Sequence, residues 1–131
     1  MNYLKPHIYI PIEIFYREIN SRILLALSAC LKGFRVYIGT KSGIDQILDN
    51  KIKLNIKGGI YLYKSQIVSS PEYINKIKKV CDKFVVVDEE LSPAVVNYKD
   101  LVTSRTVNEK KISKFFLIKK NMKNKILKYK K

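Results

Sequence analysis

The chain has 131 residues, of which 47% are hydrophobic and 28% charged, a size and composition typical of one folded globular domain. No stretch approaches the roughly 18 apolar residues that a membrane-spanning helix needs. Pro6, Pro11 and Glu13 interrupt the apolar run that a signal peptide requires. The sequence therefore argues against a membrane-spanning or exported protein, and we expect a cytoplasmic one.

The formal net charge is +15, and it is concentrated near the carboxyl terminus. Residues 110–131 contain ten lysines and no acidic residue, so they supply +10. This predicts peripheral attraction to the anionic inner membrane, or simply a solvated terminal helix. Nucleic acid is the less favoured partner, because the tail lacks arginines interleaved with aromatic rings, the pattern that favours base stacking.

The cysteine content argues against disulfides and metal centres. Cys30 and Cys81 both lie in apolar, periodic segments, so we expect two buried thiols in a reducing compartment. No CxxC, HExxH or Cys/His cluster is present, and we expect no metal and no cofactor. His7 is the sole histidine, precedes a strand and has no evident catalytic partner.

Changes in hydrophobic period predict the elements in chain order. The first strand is expected at His7–Ile12, followed by a broken polar stretch at 13–22 and a helix at 23–31. That helix would be capped by Asn20 or Ser21, ended by Gly33 and buried through one face. The face consists of Ile19, Ile23, Ala26, Leu27, Cys30 and Leu31.

The remaining pattern continues the same alternation. Strands are expected at 34–38, Ile60–Tyr63 and 84–87, with a possible fifth at 115–118. A short helix capped by Ser42 should occupy 42–48, and another should start at Pro71 after a cap at Ser69 or Ser70. Helical pieces at 98–113 and a basic helix at 121–129 complete the prediction.

This alternation predicts an α/β fold, with an open, mostly parallel Rossmann-like sheet of four or five strands and helices on both faces. The strand order is left open. We assign residues 1–118 to this domain and 119–131 to a basic helix or tail.

In such sheets ligands bind beyond the carboxyl ends of the strands, so the loops there hold the candidate site residues. Neither GxGxxG nor GxxxxGK[ST] occurs, which argues against dinucleotide and P-loop phosphate sites. No catalytic residue is assigned. The candidate ligand-binding residues are Glu13, Arg17, Glu18, Ser21, Arg22, Lys64, Ser65, Asp88, Glu89 and Glu90.

These candidates have separate expected roles. The cations Arg17, Arg22 and Lys64 should contact an anionic or polar ligand group. Glu13 or Glu18 should orient one of the arginines. The carboxylate run that starts at Asp88 should accept hydrogen bonds from sugar hydroxyls or serve as solvated charge.

The same residues carry a resemblance to a known family. The segment IYIPIEIFYREINSRILLALSACLKGFRVYIGTKSGI resembles the opening of bacterial surface carbohydrate biosynthesis proteins. The family's R-[ED]-x-x-[SA]-[RK] run is matched at Arg17, Glu18, Ser21 and Arg22, after the acidic Glu13. Its G-x-x-V-x-[IL]-G strand is matched at Gly33, Val36, Ile38 and Gly39. GGIYLYKS and VVVDEE, which end in Lys64-Ser65 and Asp88-Glu89-Glu90, resemble two later motifs.

This resemblance implies a glycosyltransferase-like protein of lipopolysaccharide or capsule synthesis, working at the inner membrane. It implies two Rossmann-type domains, the first handling a glycan or glycolipid acceptor and the second the activated donor. The matches cover the first domain, so we expect the chain to need a separate donor-binding half and to be inactive alone. The alternatives are a non-catalytic remnant or a membrane-surface binding module.

Overall fold

The computed structural model describes residues 5–64, 70–88 and 114–117. Its strands are β1 (His7–Ile12), β2 (Arg35–Thr40), β3 (Ile60–Tyr63), β4 (Lys83–Asp88) and β5 (Lys114–Leu117). The helices are α1 (Phe15–Leu31), α2 (Lys41–Lys53) and α3 (Pro71–Val80).

The five strands form one sheet in the order β2-β1-β3-β4-β5, and every neighbouring pair is parallel. This is one of the two common orders of doubly wound sheets. The predicted open parallel Rossmann-like fold is confirmed.

Helices cover both faces of the sheet. Side chains alternate between the two faces along each strand, so each face has its own set of core residues. One face carries aromatic residues such as Tyr9, Tyr61 and Phe84, and packs against α2 and α3 through Leu48 and Ile77. The other face is aliphatic and packs against α1, with Ile10 and Leu62 against Ala26.

Local signals placed α3 correctly and α2 only in part. Ser70 caps α3 by accepting a hydrogen bond from the Tyr73 amide at 3.2 Å, with Pro71 in the first helical position. The cap predicted at Ser42 is wrong: Thr40 accepts from the Gly43 amide instead, so α2 begins at Lys41 and extends to Lys53. Strands β1 and β3 have the predicted bounds, and β2, β4 and β5 differ by one or two residues.

The prediction for α1 is wrong in its start and in most of its buried face, of which Ala26 is the member that the structure buries. The helix begins eight residues earlier, at Phe15, and its N-cap Ile14 makes no side-chain capping bond. The buried residues are Glu18, Arg22, Ala26 and Ala29. Hydrophobic periodicity identified an apolar face of the helix, but it could not show that a face of small and charged residues would pack on the sheet. Gly33 follows the helix with φ 85°, as predicted.

A tight glycine turn sets the start of β3. Gly59 has φ 152°, and a Cβ there would lie 2.9 Å from Cε2 of Tyr9 and 3.0 Å from the His7 carbonyl oxygen. The Gly59 amide donates to Asp82 at 3.2 Å, which ties the turn to the loop before β4. Glycine is required here both by backbone conformation and by space.

His7 is buried beside this turn, with Nδ1 3.3 Å from the Tyr9 hydroxyl and its ring edge-on to Tyr37. Burial lowers its pKa from the usual 6.5, and the positive charges of Lys51 and Arg35 lower it further. The unfolded chain therefore binds a proton more readily than the folded one. Stability from this source is complete above about pH 6.5 and is lost as the pH falls towards the folded pKa.

We expect chemical denaturation to show this loss between pH 7 and 5. The variant His7→Phe keeps an aromatic ring without a titrating group, so its stability should vary less with pH across this interval. Equal pH profiles for the two proteins would show that His7 is not the group responsible.

The two cysteines differ in accessibility, which corrects the expectation that both are buried. Cys81 is buried, and burial raises the pKa of its thiol to about 12. Cys30 lies on the exposed side of α1.

We expect a thiol reagent to modify Cys30 quickly and Cys81 only on unfolding, because the thiolate is the reactive form. Loss of the fast phase in Cys30→Ser would verify the assignment, and a persisting fast phase would contradict it.

The helices predicted at 98–113 and 121–129 and the 119–131 tail lie outside the described residues. The proposed division into a domain and a tail therefore remains a prediction.

Candidate functional site

The strand order identifies one place where a ligand site is expected. From β1 the chain moves outward to β2 on one side, and β3 lies on the other side of β1. The connections diverge here, which opens a crevice at the carboxyl ends of β1 and β3. Ligands of open parallel sheets bind at this switch point.

A buried carboxylate occupies the switch point. Glu18, in the first turn of α1, is 0% exposed. Its Oε2 accepts a hydrogen bond from the Glu13 amide at 3.0 Å. Its Oε1 lies 3.3 Å from Lys64 Nζ and 3.5 Å from Arg17 Nη2. Glu18 thus joins the loop after β1, the start of α1 and the residue that follows β3.

Lys64 binds a second carboxylate across the same crevice. Its Nζ lies 2.9 Å from Glu13 Oε2, and its side chain is mostly buried. Glu13 and Arg17 are partly exposed. We call Glu13, Arg17, Glu18 and Lys64 the switch-point cluster. It contains two carboxylates and two cations, so the group is close to electroneutral while two of its members face solvent.

The environment favours the charged forms of the two buried members. Burial alone would raise the pKa of Glu18, but the Glu13 amide and Lys64 outweigh it, and the pKa is lowered. Burial would lower the pKa of Lys64, but Glu13 and Glu18 outweigh it, and the pKa is raised. At neutral pH both groups are ionised. The arrangement is suited to holding hydrogen-bonding ligands rather than to proton transfer, which needs a pKa near the working pH.

The other predicted site residues have different outcomes. Ser21 donates to the Glu18 carbonyl oxygen at 3.0 Å within α1. Arg22 is buried in the face of α1 that packs on the sheet, one turn after Glu18. Asp88 ends β4 at the same carboxyl edge. Ser65, Glu89 and Glu90 lie outside the described residues.

An apolar groove of about 360 Å³ adjoins the cluster. It runs between the first half of α1 and the end of β2, and Glu13 contributes to its wall. The apolar wall is formed by Ile12, Phe15, Ile19, Ile23 and Ile38. The sequence reasoning missed this groove, although residues 15, 19 and 23 follow the four-residue spacing of one helix face.

Metal binding is not suggested by the part of the chain that the structure describes. Within residues 5–64, 70–88 and 114–117, no three His, Cys, Asp or Glu side chains form a group that could hold a metal ion. The cluster instead combines anions and cations, a set suited to hydroxyl and mixed polar ligands.

We compared the chain with protein-family models, with curated protein sequences and with solved structures, and none of them matches. The resemblance to surface carbohydrate biosynthesis proteins therefore rests on the short motifs alone.

Proposed function

We propose that this chain is the acceptor-side domain of a glycosyltransferase-like protein of surface polysaccharide synthesis, peripheral to the inner membrane, and that the switch-point cluster binds the acceptor glycan. One observation carries the proposal. Glu18 and Lys64, which both their position after the strands and the motif resemblance had singled out, meet at the switch point of a parallel sheet.

The chemistry of the cluster suits a sugar. Sugar hydroxyls donate to carboxylates and accept from ammonium and guanidinium groups, and hydrogen bonds to charged groups are the stronger kind. Glu13 and Arg17 are partly exposed and offer one partner of each type. The buried pair of Glu18 and Lys64 holds them in place, so little side-chain entropy is lost on binding.

The neighbouring groove supports a glycan that carries an apolar part. Glu13 lies in both the cluster and the groove wall, so one ligand could touch both. A sugar attached to a lipid presents hydroxyls next to hydrocarbon, which matches this pairing. Donor binding is assigned to a separate half, as the family resemblance implies.

The test is binding of lipopolysaccharide and capsule oligosaccharides, and their lipid-linked forms, by saturation-transfer NMR and calorimetry. We expect Arg17→Gln to weaken binding about tenfold or more, because a charge-assisted hydrogen bond contributes roughly 1.5–3 kcal/mol. The matched control is Lys76→Gln, which removes a cation paired with Asp49 at 2.8 Å on the opposite side of the sheet. That variant should bind like the unmodified protein.

Two results would refute the proposal. One is no binding to any glycan of the panel by the unmodified chain. The other is equal weakening by Arg17→Gln and Lys76→Gln, which would indicate a diffuse charge effect. Oligonucleotides serve as a further arm, since tight and steeply salt-dependent binding to them would favour a nucleic-acid function instead.

A further inference from the structure

Helix α1 is amphipathic in the opposite sense from an ordinary surface helix. Its buried face is made of Glu18, Arg22, Ala26 and Ala29, which are small or charged. Its large apolar residues point outward. A surface helix normally turns its apolar stripe towards the core, so the exposed stripe calls for a partner outside the domain.

Leu24, Leu27 and Leu31 form one exposed apolar surface on the second half of the helix, and Tyr16 lies on the same side two turns earlier, beyond the exposed Asn20. At 100° per residue, Tyr16, Leu24, Leu27 and Leu31 fall within a single arc on the side away from the sheet. Tyr16 is 94% exposed and Leu31 is 90% exposed. We call these four residues the apolar stripe. Ile23 borders it and also lines the groove beside β2, so the groove continues the same surface.

The charges around the stripe have one sign. Within α1 and its C-cap the exposed charged residues are Arg17 and Lys32, and both are basic. Glu18, the acidic residue of this segment, is buried and paired. A second copy of the chain packed on this face would bring like charges together, which opposes association. An anionic surface would be attracted.

We propose that α1 docks the protein on an anionic lipid bilayer, with the apolar stripe entering the interface and Arg17 and Lys32 meeting the headgroups. The combination of an apolar helix face with flanking basic residues is what interfacial helices use. The helix has 17 residues and is about 25 Å long, and docking through one side would lay it along the membrane plane. None of the described helices is long and apolar enough to cross a membrane.

This docking would place the start of α1, and with it the switch-point cluster, beside the headgroups. It uses the outer face of the helix, and its test involves no glycan. Glycan binding by the cluster is therefore tested separately from membrane docking, which the proposed function also expects.

The first experiment measures binding of the full chain to vesicles of phosphatidylglycerol and phosphatidylcholine. The triple variant Leu24→Gln, Leu27→Gln, Leu31→Gln should bind at least about tenfold more weakly, because leucine side chains lose their apolar burial. The matched pair is Leu24→Gln and Leu54→Gln, at positions 68% and 69% exposed. Leu54 is the C-cap of α2, which packs on the other face of the sheet, so only the first of the pair should weaken binding.

The second experiment reports which part of the chain enters the lipid. The chain contains no tryptophan, so Tyr16→Trp introduces a single fluorophore on the apolar stripe, and Leu54→Trp provides the control. We expect a blue shift and quenching by brominated lipids for the first variant and neither for the second. Vesicles of phosphatidylcholine alone should bind more weakly, because they lack the anionic headgroups.

Three outcomes would overturn the docking proposal. The unmodified chain fails to bind anionic vesicles. The triple variant binds the vesicles as tightly as the unmodified chain, and added salt abolishes the binding of both proteins, which would assign binding to the lysines of 110–131. The unmodified chain is dimeric by light scattering and the triple variant monomeric, which would make the stripe an interface between copies. Circular dichroism verifies folding, and the tryptophan variants remain informative if the triple variant fails to fold.

Discussion

Replacing Glu18 by glutamine will lower the free energy of unfolding by about 3–5 kcal/mol, the usual cost of removing one member of a buried ion pair. Glu18 is fully buried and close to Lys64, Arg17 and the Glu13 amide. The neutral side chain keeps the shape of the original but leaves the Lys64 ammonium, which is mostly buried, with one carboxylate fewer. Urea denaturation measures the loss.

The matched control is Asp49→Asn, which removes the partner of Lys76 in a more exposed ion pair. Exposed pairs contribute about 0–1 kcal/mol, so this change should be small. A loss below about 1 kcal/mol for Glu18→Gln as well would contradict the view that the cluster supports the fold. The double variant Glu18→Leu, Lys64→Met should be more stable than Glu18→Leu alone, because it leaves no unpaired charge from this buried ion pair.

The pH dependence gives the same prediction a second readout. The pKa of Glu18 is below its ordinary value of 4.5, so the unfolded state binds its proton first. The stability that it contributes is complete above about pH 4.5 and is lost as the pH falls through the folded pKa. Glu18→Gln should therefore flatten the acid side of the stability profile. An unchanged acid limb would mean that other carboxylates dominate it.

Replacing Gly59 by alanine will cost about 2–4 kcal/mol, from a strained backbone and a steric clash together. The residue has φ 152°, a conformation that alanine rarely adopts. The added methyl would lie 2.9 Å from the Tyr9 ring and 3.0 Å from the His7 carbonyl oxygen. The ring is fully buried and the carbonyl belongs to a paired strand, so neither can move cheaply.

Gly39→Ala provides the control for this prediction. A Cβ at Gly39 meets nothing within 4 Å, and its backbone is that of an ordinary strand. Its stability should stay the same or rise by up to about 1 kcal/mol, because alanine lowers the entropy of the unfolded chain. Thermal melts distinguish the two variants, and equal stabilities would show that the turn before β3 tolerates a side chain.

Both proposals involve residues at the start of α1. Glu13 and Arg17 belong to the cluster at the switch point, and Tyr16 begins the apolar stripe on the opposite side of the same turn. If both proposals hold, a lipid-linked glycan would reach the cluster directly from the membrane surface. The vesicle and glycan experiments test the two parts independently.

Much of the fold could be predicted from local sequence. The bounds of β1 and β3, the Ser70 cap with Pro71 and the end of α1 at Gly33 depend on neighbouring residues and on backbone conformation. Such signals act within a few residues, so they can be read without knowing the fold. The alternation of strands and helices then determined the class of the sheet.

The tertiary structure decided what depends on distant partners. The strand order placed Lys64 beside Glu13 and Glu18, 46 residues from the latter, so the sequence suggested a carboxylate that orients an arginine but not the ion pairs of Lys64. The buried face of α1 differs from the expected one because it contains Glu18. A carboxylate can be buried where it has cations and amides as partners, and the Glu13 amide and Lys64 provide them. Periodicity shows that a helix has two faces, and only the packed neighbours determine which one lies inside.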